Sequence, residues 1–386
     1  MNFKFSKEEK KFCEEVRNFL LAESELVEDV RIEIDVGAGQ GPRSKELIRK
    51  LGAKSYLTPS WPEKYGGLDK PPIYTFIAHE EIAYHVGALI IAGVTFSGPS
   101  ILLFGSEQQK EKYLLKIARG EILFALGYTE PQAGSDLAAL EMHAVREGDY
   151  YIINGQKTFN TAPHFSDYHW LAARTDPSVS KHKGISLFIV DLKSPGITIR
   201  PMTGVGKFMV NEVFYDDVKV PVENRVGEEN RGWYYISTAL SLERTWLVGI
   251  AQRDFDELLA YAKGTSKDER PIADDPLIRQ ELAQLAIRIE MSHLLALRVT
   301  CLRDKGIVAD YEAAMSKMFG SEAQYGVENE WMKILSLYGT LQMGSASAPF
   351  DGRVGQWYFR AVRDLLTRGT NEIMKAIIAR RKLGLP

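Results

Sequence analysis

Leu123-Phe-Ala-Leu-Gly-Tyr-Thr-Glu-Pro-Gln-Ala-Gly-Ser-Asp136 is the stretch from which the rest of the chain is read. A short apolar run ends in a polar segment that contains Pro131 and Gly134. Turn residues and hydroxyls after a buried strand can wall a ligand site. They can equally satisfy the backbone of a plain strand-exit turn.

The chain changes character on either side of this stretch. Before Gly120 it is mainly helical. Ser6 with Glu9, and Ser106 with Gln109, have capping-box spacing, and Phe12, Val16, Phe19 and Leu20 repeat at helical intervals. After Gly120, short apolar segments at 122–127, 140–145, 150–153, 168–173, 185–191 and 211–215 are punctuated by Gly148-Asp149, Asn154-Gly155 and Pro195-Gly196. They predict a small antiparallel sheet. Periodic segments at about 232–262, 276–304, 311–338 and 356–381 predict a helical bundle, with Asp310 capping the third helix. The expected fold class is α+β, with a helical domain over 1–121, a β domain over 122–229 and a bundle over 230–386.

The composition is ordinary for a globular chain: 386 residues, 45% hydrophobic and 26% charged. A formal net charge of -3 gives no reason to expect nucleic acid as a partner. Two cysteines, Cys13 and Cys301, do not make a disulfide framework, and the charged N-terminal stretch lacks a signal-peptide core. A cytoplasmic location is expected, without membrane insertion. His143, His164, His169, His182 and His293 have no metal-site spacing. Gly204-Val-Gly-Lys lacks the Ser or Thr of a phosphate loop, and no Gly-x-Gly-x-x-Gly follows an early strand.

Residues 128–136 resemble the first signature of the acyl-CoA dehydrogenases, and the order helices, strands, bundle resembles that family over essentially the whole chain. The resemblance implies FAD as cofactor, an acyl-CoA substrate oxidised between its α and β carbons, and electron-transferring flavoprotein as acceptor. It places Tyr128 and Thr129 at the flavin, with Ser135 beside the CoA portion of the substrate. Lys157-Thr-Phe-Asn-Thr-Ala is similar to the second flavin-facing segment, with Phe159 where tryptophan is common and Thr161 at the ring-bonding threonine. Phe lacks the indole N–H, and read alone it is an ordinary core aromatic. Arg368-Gly-Thr-Asn-Glu-Ile resembles the C-terminal signature, with Gly369, Thr370 and Glu372 at the cofactor; Thr370 also suits a helix cap. Arg244 and Arg380 fall on the substrate side.

The family chemistry needs a carboxylate to take the α proton. Many members carry Glu immediately before the Gly-Thr pair. Arg368 stands there and stays protonated. Ser241-Leu-Glu-Arg-Thr-Trp resembles the isovaleryl-type and long-chain-type members, whose base lies on the first bundle helix, and this makes Glu243 the expected base. Leu240 and Leu247 share its helix face. Members of this type include those for branched and bulky acyl groups. Gly249 is expected to leave room near the pocket, and Gly-Trp-Tyr-Tyr at 232–235 resembles bacterial members acting on unusual acyl-CoAs.

Two segments depart from the family pattern. The Arg-x-x-Phe-Gly that, in the family, grips the FAD diphosphate of a neighbouring subunit is replaced by Ser266-Lys-Asp-Glu-Arg-Pro-Ile, which leaves Lys267, as a point charge, or Arg270 to reach phosphate, or else a solvated charged loop. No Gln precedes Gly339 at the spacing that reaches the adenine end. A homo-oligomer (dimer or tetramer) or a heterotetramer with a related subunit is therefore expected. The alternatives are a catalytically weak, FAD-sharing subunit of a heteromer and a flavin oxidase on the same fold.

Overall fold

The computed structural model describes residues 3–35, 41–89, 91–206, 208–243, 248–267 and 269–385, with the side chains of 241–243 and 267 excepted. In chain order the elements begin with α1 (Lys7–Ala22), α2 (Ser24–Asp35), α3 (Pro42–Ala53), α4 (Pro72–His85), α5 (Gly98–Phe104) and α6 (Glu107–Ala118). The strands are β1 (Phe124–Gly127), β2 (His143–Glu147), β3 (Tyr150–Asn160), β4 (Tyr168–Arg174), β5 (Ile185–Asp191), β6 (Ile197–Thr203), β7 (Met209–Pro221) and β8 (Arg225–Val226). Then come α7 (Gly232–Glu243), α8 (Gly249–Gly264), the short β9 (Ser266–Lys267) and β10 (Arg270–Pro271), α9 (Pro276–Asp304), α10 (Asp310–Leu335), α11 (Arg353–Leu366) and α12 (Asn371–Leu383). The chain forms two compact units, one from residues 36–71 and 89–243, the other from 1–35, 72–88 and 244–386.

The first unit is built on one sheet, ordered β6-β7-β3-β2-β4-β5-β8, with β1 added on β4. Most pairings are antiparallel, as expected. The exceptions are β1 on β4 and the single β2–β4 pair, both parallel. Parallel pairing leaves no two-residue turn in the sequence, so strand spacing alone cannot reveal it. Tyr151, Ile153, Leu171, Phe188, Val213 and Val218 form the core on one sheet face. The Ser106–Gln109 capping box forms in both directions, and Gln109 Nε2 also donates to the carbonyls of Glu223 and Arg225 at 2.7 and 2.9 Å. That side chain ties α6 to the β-sheet segment.

The second unit is helical. Its core joins Val248, Phe255 and Leu258 of the α8 segment to Leu285 and Ile289 of α9, Val327 and Trp331 of α10, and Val354 and Trp357 of α11. A charged cluster is buried beside it. Arg253 donates to Asp254 at 2.6 and 2.8 Å, and Arg360 reaches Asp254 at 3.3 Å and Asp35 at 3.5 Å. Gln324 bridges Asp254 and Glu328. Burial acts against Asp254's charge, but Arg253 beside it holds the carboxyl down at about 2. Burial and the neighbouring Asp254 push Glu328 well up, which favours its neutral form.

Three local expectations change. Asp310 lies inside α10 instead of capping it, because Ala309 occupies the cap position. The 356–381 segment is two helices separated at Thr367–Thr370, since Arg368 and Gly369 both have left-handed backbone, at φ 59° and 85°. In the 232–262 segment the described residues form α7 and α8, with 244–247 between them outside the described residues, and Glu80 accepts from Val248 at 2.8 Å and from Gly249 at 2.7 Å at the start of α8. Gly249 does not open a pocket in this unit. A Cβ there would lie 2.5 Å from the Glu80 carbonyl and 2.6 Å from the Tyr84 nitrogen, so its missing side chain admits the backbone of α4.

Candidate flavin and acyl-CoA site

In the sheet unit, β1 ends at Gly127 and delivers Tyr128 and Thr129 to the top of β3. A Cβ on Gly127 would meet His169 Cε1 at 2.5 Å, so the strand exit lies against that imidazole. His169 is buried on β4 and shares a 2.6 Å hydrogen bond between its Nδ1 and the Tyr215 hydroxyl. Burial lowers the imidazole pKa to about 3, so it stays neutral. Tyr128 is buried, and its hydroxyl accepts from Trp170 Nε1 at 2.9 Å. Thr129 is half-buried, and its carbonyl accepts from the Thr158 N–H at 2.9 Å.

That last bond joins the two expected flavin segments, and a buried ion pair reinforces it. Lys157, fully buried, donates to Glu130 Oε1 at 2.7 Å and to the Tyr128 carbonyl at 3.1 Å. Glu130 also accepts from the N–H groups of Glu141 and Met142 and from Gln132 Nε2. Desolvation lowers Lys157 to about 8, with Glu130 opposing the fall. In the sequence Glu130 is one more residue of the 128–136 signature and Lys157 only the first residue of the second segment. The signal was a Lys at the start of the second motif, where a lone surface lysine looks the same.

Beyond Lys157 the β3–β7 register shifts. Phe159 takes left-handed backbone at φ 56° and is 65% exposed. It is therefore no core aromatic. A bulky residue held at positive φ with its ring uncovered is a costly arrangement of the kind found at ligand sites. Thr161 is exposed two residues on, and Ser135 is exposed on the β1–β2 connection.

In the helical unit, Gly369 forms the turn before α12, and Thr370 caps that helix by accepting from the Ile373 N–H at 3.2 Å. Glu372 is exposed in the first turn, its carboxyl lowered by its own backbone N–H and by the Thr370 hydroxyl. Sequence reasoning missed what holds this turn. Lys317 of α10, fully buried, donates to Asn371 Oδ1 at 2.8 Å and to the Leu365 carbonyl at 3.2 Å, and Ser321 adds a bond to Asn371 at 3.1 Å. Arg270 is exposed on the β9–β10 pair, and Arg380 is exposed on α12. Glu243 is the last residue of α7, with its side chain outside the described residues; Arg244 lies outside them altogether.

Family profiles match in sequence along the chain: the acyl-CoA dehydrogenase N-terminal domain at 6–121, the middle domain at 125–218 and the C-terminal domain at 230–383. This chain belongs to the acyl-CoA dehydrogenase family. The dehydrogenase is 37% identical over 355 residues to acyl-CoA dehydrogenase FadE29 of Mycobacterium tuberculosis, covering 90% of this chain and 89% of the relative. Among solved structures it is similar to the Tcur3481-Tcur3483 steroid ACAD, at TM-score 0.92 and 31% identity, with all of both chains covered. It is also similar to the ChsE4-ChsE5 complex from Mycobacterium tuberculosis, at TM-score 0.89 and 30% identity, again over all of both chains.

The dehydrogenase is thus an FAD-dependent oxidoreductase acting on acyl-CoA. The residue types of the sheet unit suit that cofactor: the Phe159 ring is uncovered and the hydroxyl-bearing Thr161, two residues on, is exposed, as a flat ring system with polar edges requires. No described helix is long and apolar enough to cross a membrane.

Proposed function

We propose that the dehydrogenase takes the α proton of a branched or bulky acyl-CoA with Glu243 and forms the trans-2-enoyl-CoA. FAD, when bound, supplies the hydride acceptor for the β carbon. The observation that carries the reading lies in the sequence: Arg368, a permanent cation, stands before Gly369-Thr370, and Glu243 is the last residue of α7. A carboxylate can serve as base there only if burial lifts its pKa toward the working range. Tyr128, Thr129, Phe159, Thr161, Gly369, Thr370 and Glu372 form the flavin-facing set. Ser135, Arg244 and Arg380 hold the CoA thioester, and Arg270 is left to meet phosphate.

The bulky substrate class is supported by similarity to a protein titled a steroid ACAD. A heterotetramer with a related subunit is supported by similarity to a two-component ChsE4-ChsE5 complex and by the two altered trans contacts, the Arg270 segment and the position before Gly339. Electron-transferring flavoprotein is the acceptor the family resemblance implies.

The test is an anaerobic visible spectrum of the purified protein, alone and with a related subunit, titrated with straight, branched, dicarboxylic and ring-bearing acyl-CoAs. Bleaching of the oxidised flavin band by the branched or ring-bearing members supports the reading. Glu243→Gln should slow flavin reduction at least about a thousandfold, the scale of a lost general base. Reduction of the Gln protein at the wild-type rate would sink Glu243 as the base.

A further inference from the structure

We propose that Lys157 is a positioning residue for the flavin, locking the Thr129 segment and the Phe159–Thr161 segment into one rigid surface. The proposal rests on the flavin-facing reading of those segments and adds the device that sets their spacing. Lys157 lies two residues before Phe159, and its ammonium bonds to both residues that flank Thr129: the Tyr128 carbonyl at 3.1 Å and the Glu130 carboxylate at 2.7 Å. The Thr158 N–H to Thr129 carbonyl bond runs alongside at 2.9 Å. Three contacts therefore join two segments that lie 27 to 29 residues apart in sequence.

The arrangement costs more than a simple loop anchor needs. A cation and a carboxylate are both taken out of water, Lys157 entirely and Glu130 to 3% exposure. A buried pair of this kind is weak evidence for added stability, since apolar residues of the same volume often serve as well. What it does supply is direction. The carboxylate has two backbone N–H donors and one side-chain donor besides Lys157, so it cannot rotate, and the ammonium is aimed by it. Just past this fixed point the β3–β7 register slips and Phe159 adopts φ 56° with its ring uncovered. A strained residue persists only when its surroundings over-determine it. The Lys157 and Thr158 bonds hold the chain just upstream of Phe159, and just downstream Asn160 donates to the Thr158 carbonyl at 3.1 Å and accepts from Asn211 Nδ2 at 3.2 Å.

The experiment compares Lys157→Met, Lys157→Met with Glu130→Gln, Glu130→Gln alone, Thr129→Ala and Phe159→Ala. Thermal stability, FAD dissociation constant and the flavin visible circular dichroism are measured for each. Lys157→Met leaves a buried carboxylate unpaired and should lower stability. Adding Glu130→Gln removes that charge and should restore most of the stability while FAD binding stays about tenfold weak, the equivalent of one displaced hydrogen bond, with an altered dichroism. Glu130→Gln alone keeps an oxygen facing Lys157 but removes its counter-charge, so a lower stability and an altered dichroism are expected there too. If the double variant and Glu130→Gln bind FAD with wild-type affinity and dichroism while Thr129→Ala and Phe159→Ala do not, the pair only holds the fold and the proposal is overturned. If Thr129→Ala and Phe159→Ala leave the flavin unaffected, the flavin-facing reading fails, and the positioning role fails with it.

Discussion

Replacing Arg360 by Met tests the buried charge cluster of the helical unit. Its five ionisable members are Arg253 and Arg360 against Asp35, Asp254 and Glu328, each less than a tenth exposed. Burial and Asp254 push Glu328 toward its neutral form, which sets Arg253 and Arg360 against Asp35 and Asp254. Removing the Arg360 cation leaves Asp254 with Arg253 alone and leaves Asp35 with Arg353 at 3.8 Å. Each of the two buried carboxylates then loses one of its two cations, and breaking buried pairs in this way costs about 3–5 kcal/mol. Met approximates the length of the Arg stem, so little of this is lost packing. The assay is urea unfolding followed by tryptophan fluorescence, since Trp331 and Trp357 lie in the adjoining core and Trp331 Nε1 donates to the Asp254 carbonyl at 2.9 Å. Lys181→Met is the control. It removes a pair with Asp136 of similar length, 2.7 Å, but with both side chains at least half exposed. That pair is worth no more than about 1 kcal/mol. Glu328→Gln should change stability by under about 1 kcal/mol, because a group that is already uncharged loses little. Equal losses in Arg360→Met and Lys181→Met, or a large loss in Glu328→Gln, would refute the charge assignment.

Three further outcomes are expected. Thr370→Ala should cost about 1 kcal/mol and speed hydrogen exchange in the first turn of α12, whereas Thr370→Ser, which keeps the hydroxyl acceptor for Ile373, should retain both. Glu80 is pushed up to about 7 by burial, against the pull of the Val248 and Gly249 N–H groups. Its folded pKa exceeds its unfolded one, so its contribution is fully present below about pH 4.5 and is lost as pH rises through 7, by roughly 2–3 kcal/mol. Wild-type minus Glu80→Gln stability, measured from pH 4 to 8, should fall along that course; a flat difference would show that the Glu80 carboxyl titrates normally. Trp331→Ala should cost about 3–5 kcal/mol by emptying the centre of the bundle core, read by the same urea titration with Trp357 as the remaining core probe.

What the chain spells out locally, it forms. Ser6 and Ser106 stand three residues before Glu9 and Gln109, and both capping boxes close, because every partner lies within one helical turn. Thr370 caps α12 for the same reason. The order of helices, strands and bundle, and with it the family, follows from periodicities and signatures carried by consecutive residues. The departure at Arg368 is equally plain in the sequence, since a guanidinium cannot act as a base in any fold.

Tertiary structure alone decided the long-range partners. Nothing near Gly249 in sequence indicates that the backbone of α4 fills its side-chain space, or that Glu80 receives its N–H. Nothing in the sequence marks Lys157 and Lys317 for burial, and only the fold sets them against Glu130 and Asn371. Phe159 reads as a core residue until a register slip turns it outward. The physical reason is common to all of them. Propensity and capping act within about one turn of helix or one strand pair, whereas desolvation and close approach depend on which distant residues arrive together, and only the packed chain specifies that.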